Sequence, residues 1–221
     1  MCRQCHPDRS YCHSERSRGI YAGIGCEDPS TRWRSLRMTS GKEIHMRLYV
    51  ARHGQTAWNA ENKICGTPDV PLNELGWAQA EELAEKCGAY PIDLIISSTM
   101  LRARQTAGVV AEKYNLPVIT DARLVEQNYG IYEGMDRQTP GFLENKRHFA
   151  WRYPGGESML DVGHRIYSLL EDVKREHGDK NVLIVCHGGV MRLIRSYFED
   201  MTNDEYYRYS EPNAGIREFE Y

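Results

Sequence analysis

The sequence has no run of about 18 apolar residues, the minimum for a helix that crosses a bilayer, and no excess of charge of one sign. Its 28 Lys and Arg stand against 31 Asp and Glu, a net charge of −3. The first absence excludes a helical membrane span. The second removes the basic face that nucleic-acid binding requires, so neither membrane nor nucleic acid is an expected partner. Beyond residue 45 there is no cluster of metal-ligating side chains apart from two histidines, and no internal repeat apart from the pair of strand-His-Gly signatures that contains them. Cysteine is sparse there too: Cys65, Cys87 and Cys186 are scattered, and the last lies inside an apolar run. An odd, dispersed set of this kind makes no disulfide framework and fits a reducing, cytoplasmic setting. A length of 221 residues suits one sizeable domain with an appendage, and the partner left by these exclusions is a small molecule.

Residues 1–45 are set apart by their own deficits. They have no sustained apolar period and no apolar core of a secretory signal, and their acidic residues weaken a transit-peptide reading. They hold eight Lys and Arg against five Asp and Glu, whereas the rest of the chain holds twenty against twenty-six. Such a segment cannot bury enough apolar surface to order itself. Residues 1–45 are therefore expected to be a disordered or spurious extension, with translation starting at Met46 and residues 46–221 forming the folded domain. The competing reading is zinc, because Cys2, Cys5, His6, Cys12 and His13 have metal-like spacing. N-terminal sequencing of natively expressed protein decides: a start at Met1 with stoichiometric zinc would overturn the first reading.

What the body does contain is a set of short apolar runs that stop at polar residues. Leu48, Tyr49 and Val50 lead into Arg52-His53-Gly54, so a cation, an imidazole and a glycine land where a buried strand emerges, the place where open α/β sheets hold ligands. Arg52 offers a fork of donors suited to phosphate, His53 a nitrogen that is neutral and nucleophilic near neutral pH, and Gly54 a backbone that a ligand can approach closely. A second run, Val182-Leu183-Ile184-Val185-Cys186, ends in the same way at His187-Gly188-Gly189 and opens a helix bearing Val190, Leu193, Ile194 and Tyr197. A third, Leu94-Ile95-Ile96, precedes a helix expected to be capped by Ser98 or Thr99, with Ala103, Ala107, Val110, Ala111 and Tyr114 inward. Arg102 falls in the first turn of that helix, where the dipole disfavours a cation. A phosphate clamp is one reason to keep it there, whereas Arg104 reads as a solvated charge.

Asn73 caps a helix whose inner face is Gly76, Ala80, Leu83, Ala84 and Cys87. Val118-Ile119-Thr120 and Leu124-Val125 read as extended, which places Glu126 at the end of the second. Residues 135–153 suggest a short helical excursion over the site. Ser158 and Asp161 make a capping box for a long helix with Met159, Val162, Ile166, Leu169, Leu170 and Val173 on one face, ended at Gly178. The stretch from Ile216 to Tyr221 alternates as an edge strand does. Strands alternating with helices give an α/β class, a three-layer α/β/α sandwich with a mainly parallel sheet.

Five motifs follow one another in order: Arg52-His53-Gly54 with Thr56 and Asn59; Arg102-Ala103 with Thr106-Ala107; Glu126 with Gly130 and Glu133-Gly134; Pro154-Gly155-Gly156-Glu157-Ser158; and His187-Gly188-Gly189. By these the chain resembles the histidine phosphatase superfamily, the group that includes cofactor-dependent phosphoglycerate mutases, from Leu48 to about Tyr221. The resemblance implies a phosphoglycerate mutase-like fold and covalent catalysis, in which His53 attacks phosphorus and water then hydrolyses the phosphohistidine. It implies catalytic roles for His53, Glu126 and His187, with Glu126 protonating the leaving alkoxide and Glu133 as the rival carboxylate. Arg52, Arg102, His187 and the Gly188 N–H would surround the equatorial oxygens, Gly54 would border the substrate, and Thr56 and Asn59 would close the pocket. No metal and no cofactor are implied, because the arginines carry the charge and would repel a cation from the two histidines.

The mutases that this chain resembles carry a longer insertion between the acid and the Gly-Glu-Ser segment, and many have Glu where this chain has Gln55. The expected activity is therefore hydrolysis of a small phosphorylated metabolite. The alternatives are a phosphoglycerate mutase primed by 2,3-bisphosphoglycerate and a phosphoester-binding module without catalysis, although every expected catalytic position is filled. Arg137, Arg147 and Arg152 could meet a second acid on the substrate or face solvent, and the tail near Tyr206-Tyr207 would shape the same pocket. Sugar phosphates, phosphoglycerates and α-ribazole phosphate all fit, and the oligomeric state is left open.

Overall fold

Five of the runs read as extended become strands in the computed structural model, which describes residues 46–221: β1 (Arg47–Arg52), β2 (Leu94–Ser98), β3 (Val118–Asp121), β4 (Val182–Cys186) and β5 (Ile216–Glu220). The expectations for residues 1–45, disorder or zinc, lie outside the described residues. The strands form one sheet in the order β3-β2-β4-β1-β5. All neighbours run parallel except β5, which pairs antiparallel with β1 and holds the edge position its alternation foretold.

The helices are α1 (Ala57–Ala60), α2 (Glu74–Cys87), α3 (Leu101–Tyr114), α4 (Pro140–Asn145), α5 (Met159–His177), α6 (Gly188–Phe198) and α7 (Asn203–Arg208). The period of two in the strands sorts them into layers. Leu48, Val50, Ile96, Val182 and Ile184 face α5 and α6, while Tyr49, Ala51, Ile95, Leu183 and Val185 face α2 and α3. The result is a three-layer α/β/α sandwich with a mostly parallel sheet, and β1, β2 and β4 are covered on both faces. The chain leaves β1 for the α2 side and β4 for the α6 side, so a crevice opens between the carboxyl ends of those two neighbouring strands.

The long helix α5 shows why the layers hold. Ser158 Oγ accepts the Asp161 N–H while Asp161 accepts the Ser158 N–H, which starts the helix, and Lys174, Arg175 and His177 suit the negative end of its dipole. Its six inward side chains are the ones the sequence marked, each stabilising by roughly 1.5–3 kcal/mol on burial. Asn73 caps α2 through the Gly76 N–H.

Three local expectations need correction. The N-cap of α3 is Met100, with no side-chain cap of its own; Asp69, from a distant loop, accepts the Leu101 N–H at 2.6 Å, and Ser98 is drawn away to a histidine. Of Leu124-Val125, expected to be extended, Leu124 instead closes a 3-10 turn over residues 122–124, because Asp121 Oδ1 accepts the Arg123 N–H and curls the chain at once. Tyr114, expected inward on α3, is exposed at its ring and hydrogen-bonds the Ala84 carbonyl.

Candidate active site

Parallel pairing sets the register that builds the site. Arg52 pairs with Cys186 and Ser97 with Val185, so the residues that follow β1 and β4 emerge side by side, with the end of β2 next to them. The His53 and His187 rings lie 5.1 Å apart between centroids, and Arg102 Nε is 3.2 Å from His53 Nε2. Two imidazoles distant in sequence and the Arg102 guanidinium thus meet at one place.

His53 is almost fully buried. Its Nδ1 lies 2.6 Å from the Gly54 carbonyl, which can only accept, so Nδ1 carries the hydrogen and Nε2 keeps its lone pair. The Arg102 Nε–H points at that lone pair. Burial, then the Arg102 and Arg52 charges, hold the ring well below the ordinary imidazole range, so it is neutral at pH 7. His187 is fully buried and also held far down, by burial and then by Arg102. Its Nε2 sits 2.8 Å from Ser98 Oγ. The only other bond of Ser98 Oγ among the described residues is the Met100 N–H it accepts, so His187 Nε2 is the one acceptor for its hydrogen. The His187 proton is then on Nδ1, which is buried and has no partner.

Arg102 is fully buried with its fork anchored: Nη1 donates to the Pro68 carbonyl and Nη2 to the Gly66 carbonyl at 2.9 and 2.8 Å. Arg52 donates through Nη1 to the Glu211 carbonyl at 2.6 Å, while its buried Nε has no partner. Burial, with Arg137 nearby, pushes Arg52 down to about 10, which leaves it charged at neutral pH. Glu126 is buried and accepts the Gly189 N–H and the Gln127 N–H, both at 2.9 Å. Its rival Glu133 is spent on the backbone N–H groups of Gly66, Thr67 and Tyr129 and braces a loop.

Three residues assigned to the substrate are engaged by protein partners in this structure. A Cβ on Gly54 would fall 2.3 Å from the Gly76 carbonyl oxygen, so the close approach at Gly54 is made by the start of α2 rather than by a ligand. Thr56 and Asn59 cap α1 reciprocally, and Asn213 joins Asn59 to the His53 carbonyl, so they brace the loop after His53. Gly188 does line it, next to Arg52.

Sequence reasoning missed Ser98 and Gly189. A Cβ on Gly189 would stand 2.5 Å from Glu126 Oε1, so only glycine lets that carboxylate reach the α6 N-terminus. The doubled glycine was the available signal; nothing local marked Ser98. The cavity itself, about 230 Å³, is lined by Arg52, Glu126 and Gly188 together with Arg137, Lys146 and Arg192. His53, His187 and Arg102 are not among its lining residues.

The sandwich, with paired neutral histidines and buried arginines at adjacent strand ends, is an α/β protein with an anion-type site in its crevice. The profile of the histidine phosphatase superfamily (branch 1) matches residues 48–221, and the chain belongs to that family. It is 35% identical over 158 residues to the probable phosphoglycerate mutase GpmB of Yersinia pestis, covering 68% of this chain and 74% of that one. Among solved structures it resembles a mycobacterial glucosyl-3-phosphoglycerate phosphatase in complex with VO3, at a TM-score of 0.70 and 31% identity over 78% of this chain and 92% of that one. It also resembles the phosphoserine phosphatase of Entamoeba histolytica in complex with 3-phosphoglyceric acid, at a TM-score of 0.70 and 26% identity over 79% and 90%. Phosphatase or mutase chemistry on small phosphorylated metabolites is the activity this membership carries. No helix among the described residues is long and apolar enough to cross a membrane.

Proposed function

We propose that residues 46–221 are a phosphomonoesterase domain acting through a phosphohistidine on His53. The observation that carries this reading is the fixed tautomer of His53, neutral, with Nδ1–H given to Gly54 and the Nε2 lone pair beside Arg102. Nε2 attacks phosphorus, the bond to the leaving oxygen breaks, and Glu126 in its acid form protonates the departing alkoxide. The ring gains positive charge, which the Gly54 carbonyl stabilises. Water then gives a proton to the Glu126 carboxylate, attacks the phosphohistidine and releases inorganic phosphate, restoring neutral His53.

The donors for the equatorial oxygens are Arg52 Nε and His187 Nδ1–H, both without a protein partner, together with Arg102 and the Gly188 N–H. Each such donor supplies about 3–4 kcal/mol of transition-state stabilisation if oxyanion-hole precedent transfers. Gly54, Thr56 and Asn59 act by holding the loop on which His53 sits. The buried, unpaired thiols of Cys65, Cys87 and Cys186 support a cytoplasmic setting.

The test is a metabolite panel in the presence of chelator, with rapid quenching of labelled enzyme. Wild type gives a base-stable, acid-labile phosphoenzyme, and His53→Ala gives neither label nor turnover. Hydrolysis that survives the substitution, or vanishes with chelator, overturns the mechanism. The likeness to a probable mutase favours a second reading, isomerisation of 3-phosphoglycerate dependent on 2,3-bisphosphoglycerate. Hydrolysis ranks first because the segment between Glu126 and Gly156 is short and leaves water access.

A further inference from the structure

Tyr129 lines the cavity together with Glu126 and Gly189, and its hydroxyl makes no hydrogen bond among the described residues. Its backbone is already engaged: the N–H donates to Glu133 Oε1 and the carbonyl accepts the Tyr132 N–H. The ring is held as well, edge-on to Phe142 at 5.4 Å and to Tyr153 at 5.2 Å between centroids, which fixes where the phenol oxygen points. A Cβ built on Gly189 would stand 3.2 Å from that oxygen and 2.5 Å from Glu126 Oε1, so hydroxyl and carboxylate border the same small volume over Gly189. Each Glu126 oxygen accepts one backbone N–H and keeps a second lone pair, and neither takes the Tyr129 hydroxyl. Burial, and then the Glu126 charge, raise Tyr129 well above the ordinary phenol range, so the hydroxyl keeps its proton. It is a fixed, neutral donor beside the acid. Glu126 alone cannot aim the water that it deprotonates: a single contact lets the molecule turn, and attack needs a lone pair directed at phosphorus.

We infer that the Tyr129 hydroxyl is a further catalytic group, donating a hydrogen bond to the oxygen opposite His53, which is the leaving oxygen in the first step and the attacking water in the second. This rests on the phosphomonoesterase reading and adds a residue to it. In the first step the bond from phosphorus to the ester oxygen breaks and its electron pair goes to that oxygen. Glu126 supplies the proton, and Tyr129 stabilises the charge that builds before the proton arrives. In the second step one water proton passes to the Glu126 carboxylate, one lone pair accepts the Tyr129 hydrogen and the other forms the bond to phosphorus. The electron pair between phosphorus and Nε2 returns to His53, and the second water proton stays with the phosphate. Tyr129 keeps its own proton throughout.

Tyr129→Phe tests it, because the ring stays packed on Phe142 and Tyr153 and the lost oxygen has no protein partner among the described residues, so the melting temperature stays close to that of wild type. Phenyl phosphate and p-nitrophenyl phosphate read the first step, since p-nitrophenolate departs with little help and phenolate needs it. The variant lowers kcat/KM for phenyl phosphate by about tenfold, the worth of one neutral hydrogen bond, and for p-nitrophenyl phosphate by about twofold. Rapid quench reads the second step: after a chase, the label on enzyme loaded from radiolabelled p-nitrophenyl phosphate decays about tenfold more slowly in the variant. A merely structural role would lower kcat/KM for both esters alike. Equal losses for the two esters, or a label that decays at the wild-type rate, overturn the inference. A wild type that hydrolyses neither ester, or does so without labelled enzyme, overturns the phosphomonoesterase reading itself, and the inference with it.

Discussion

His53 and His187 stand at the ends of adjacent parallel strands, each followed by glycine, each buried and each held neutral by burial and the same arginines. They nevertheless present opposite nitrogens. The difference lies in what holds the other nitrogen: a carbonyl one residue along the chain fixes His53 Nδ1, and a hydroxyl from a third strand, β2, fixes His187 Nε2. One ring is left with a lone pair and the other with an N–H. A repeated motif thus yields a nucleophile and a hydrogen-bond donor from the same side chain, and the partner of the hidden nitrogen decides which.

The sharpest way to break this comparison is to remove each ring. His53→Ala deletes the attacking atom, and kcat falls by about four orders of magnitude or more, with no phosphoenzyme on rapid quench. His187→Ala removes a donor, and kcat falls by about 10²- to 10³-fold while the phosphoenzyme still forms slowly. Replacements then ask which nitrogen works. The Asn amide nitrogen overlays imidazole Nδ1, and the Gln amide overlays Nε2. His187→Asn therefore recovers part of the lost rate and His187→Gln does not; the reverse order would mean that Nε2 faces the phosphoryl group.

A smaller effect tests what the two rings share. Their folded-state pKa values lie well below the unfolded 6.5, so between those values the unfolded chain binds protons that the folded chain does not. Stability is then fully present above pH 6.5 and is lost on acidification, by about 1.4 kcal/mol per pH unit for each ring. Urea unfolding at stepped pH below 6.5, above the range of the carboxylates, measures the slope. His187→Asn halves it; an unchanged slope would mean that only His53 is held neutral.

Most of this frame was legible in the sequence because local patterns governed it. The run Val182-Leu183-Ile184-Val185-Cys186 is β4 to the residue, and the inward face of α5 is the six residues its period marks. Where the reading failed, distant groups had intervened. Asp69 caps α3 across more than thirty residues, which leaves Ser98 for His187. Gly54 read as room for a ligand, yet the space is filled by the Gly76 backbone, a contact fixed by helix packing that no local pattern encodes. Arg102 was found through the family resemblance, its default reading otherwise being a solvated charge, and its anchors at Gly66 and Pro68 were not found, because carbonyls carry no sequence identity. The outer cavity was the least legible part. Its cations come from separate elements, and of the three arginines considered in advance only Arg137 lines it.

Ser98 gives the last and smallest test, and the one closest to the comparison. It touches His187 rather than substrate, so it is a positioning residue. Ser98→Ala takes away the hydrogen that holds His187 Nε2, and the ring can then carry its own proton on either nitrogen. With two tautomers of similar energy only part of the population keeps Nδ1–H, and the ring loses its orientation as well. We expect kcat to fall by about tenfold with little change in KM, the signature of an interaction made in the transition state. A purely structural role would also lower the melting temperature, because Ser98 Oγ accepts the Met100 N–H; yet Asp69 still caps the helix, so that loss is modest. Ser98→Thr keeps the hydroxyl and restores the rate. If Thr fails to restore it while the melting temperature is normal, the hydroxyl is not what sets the His187 tautomer, and the two histidines differ for some reason other than the partner of the hidden nitrogen.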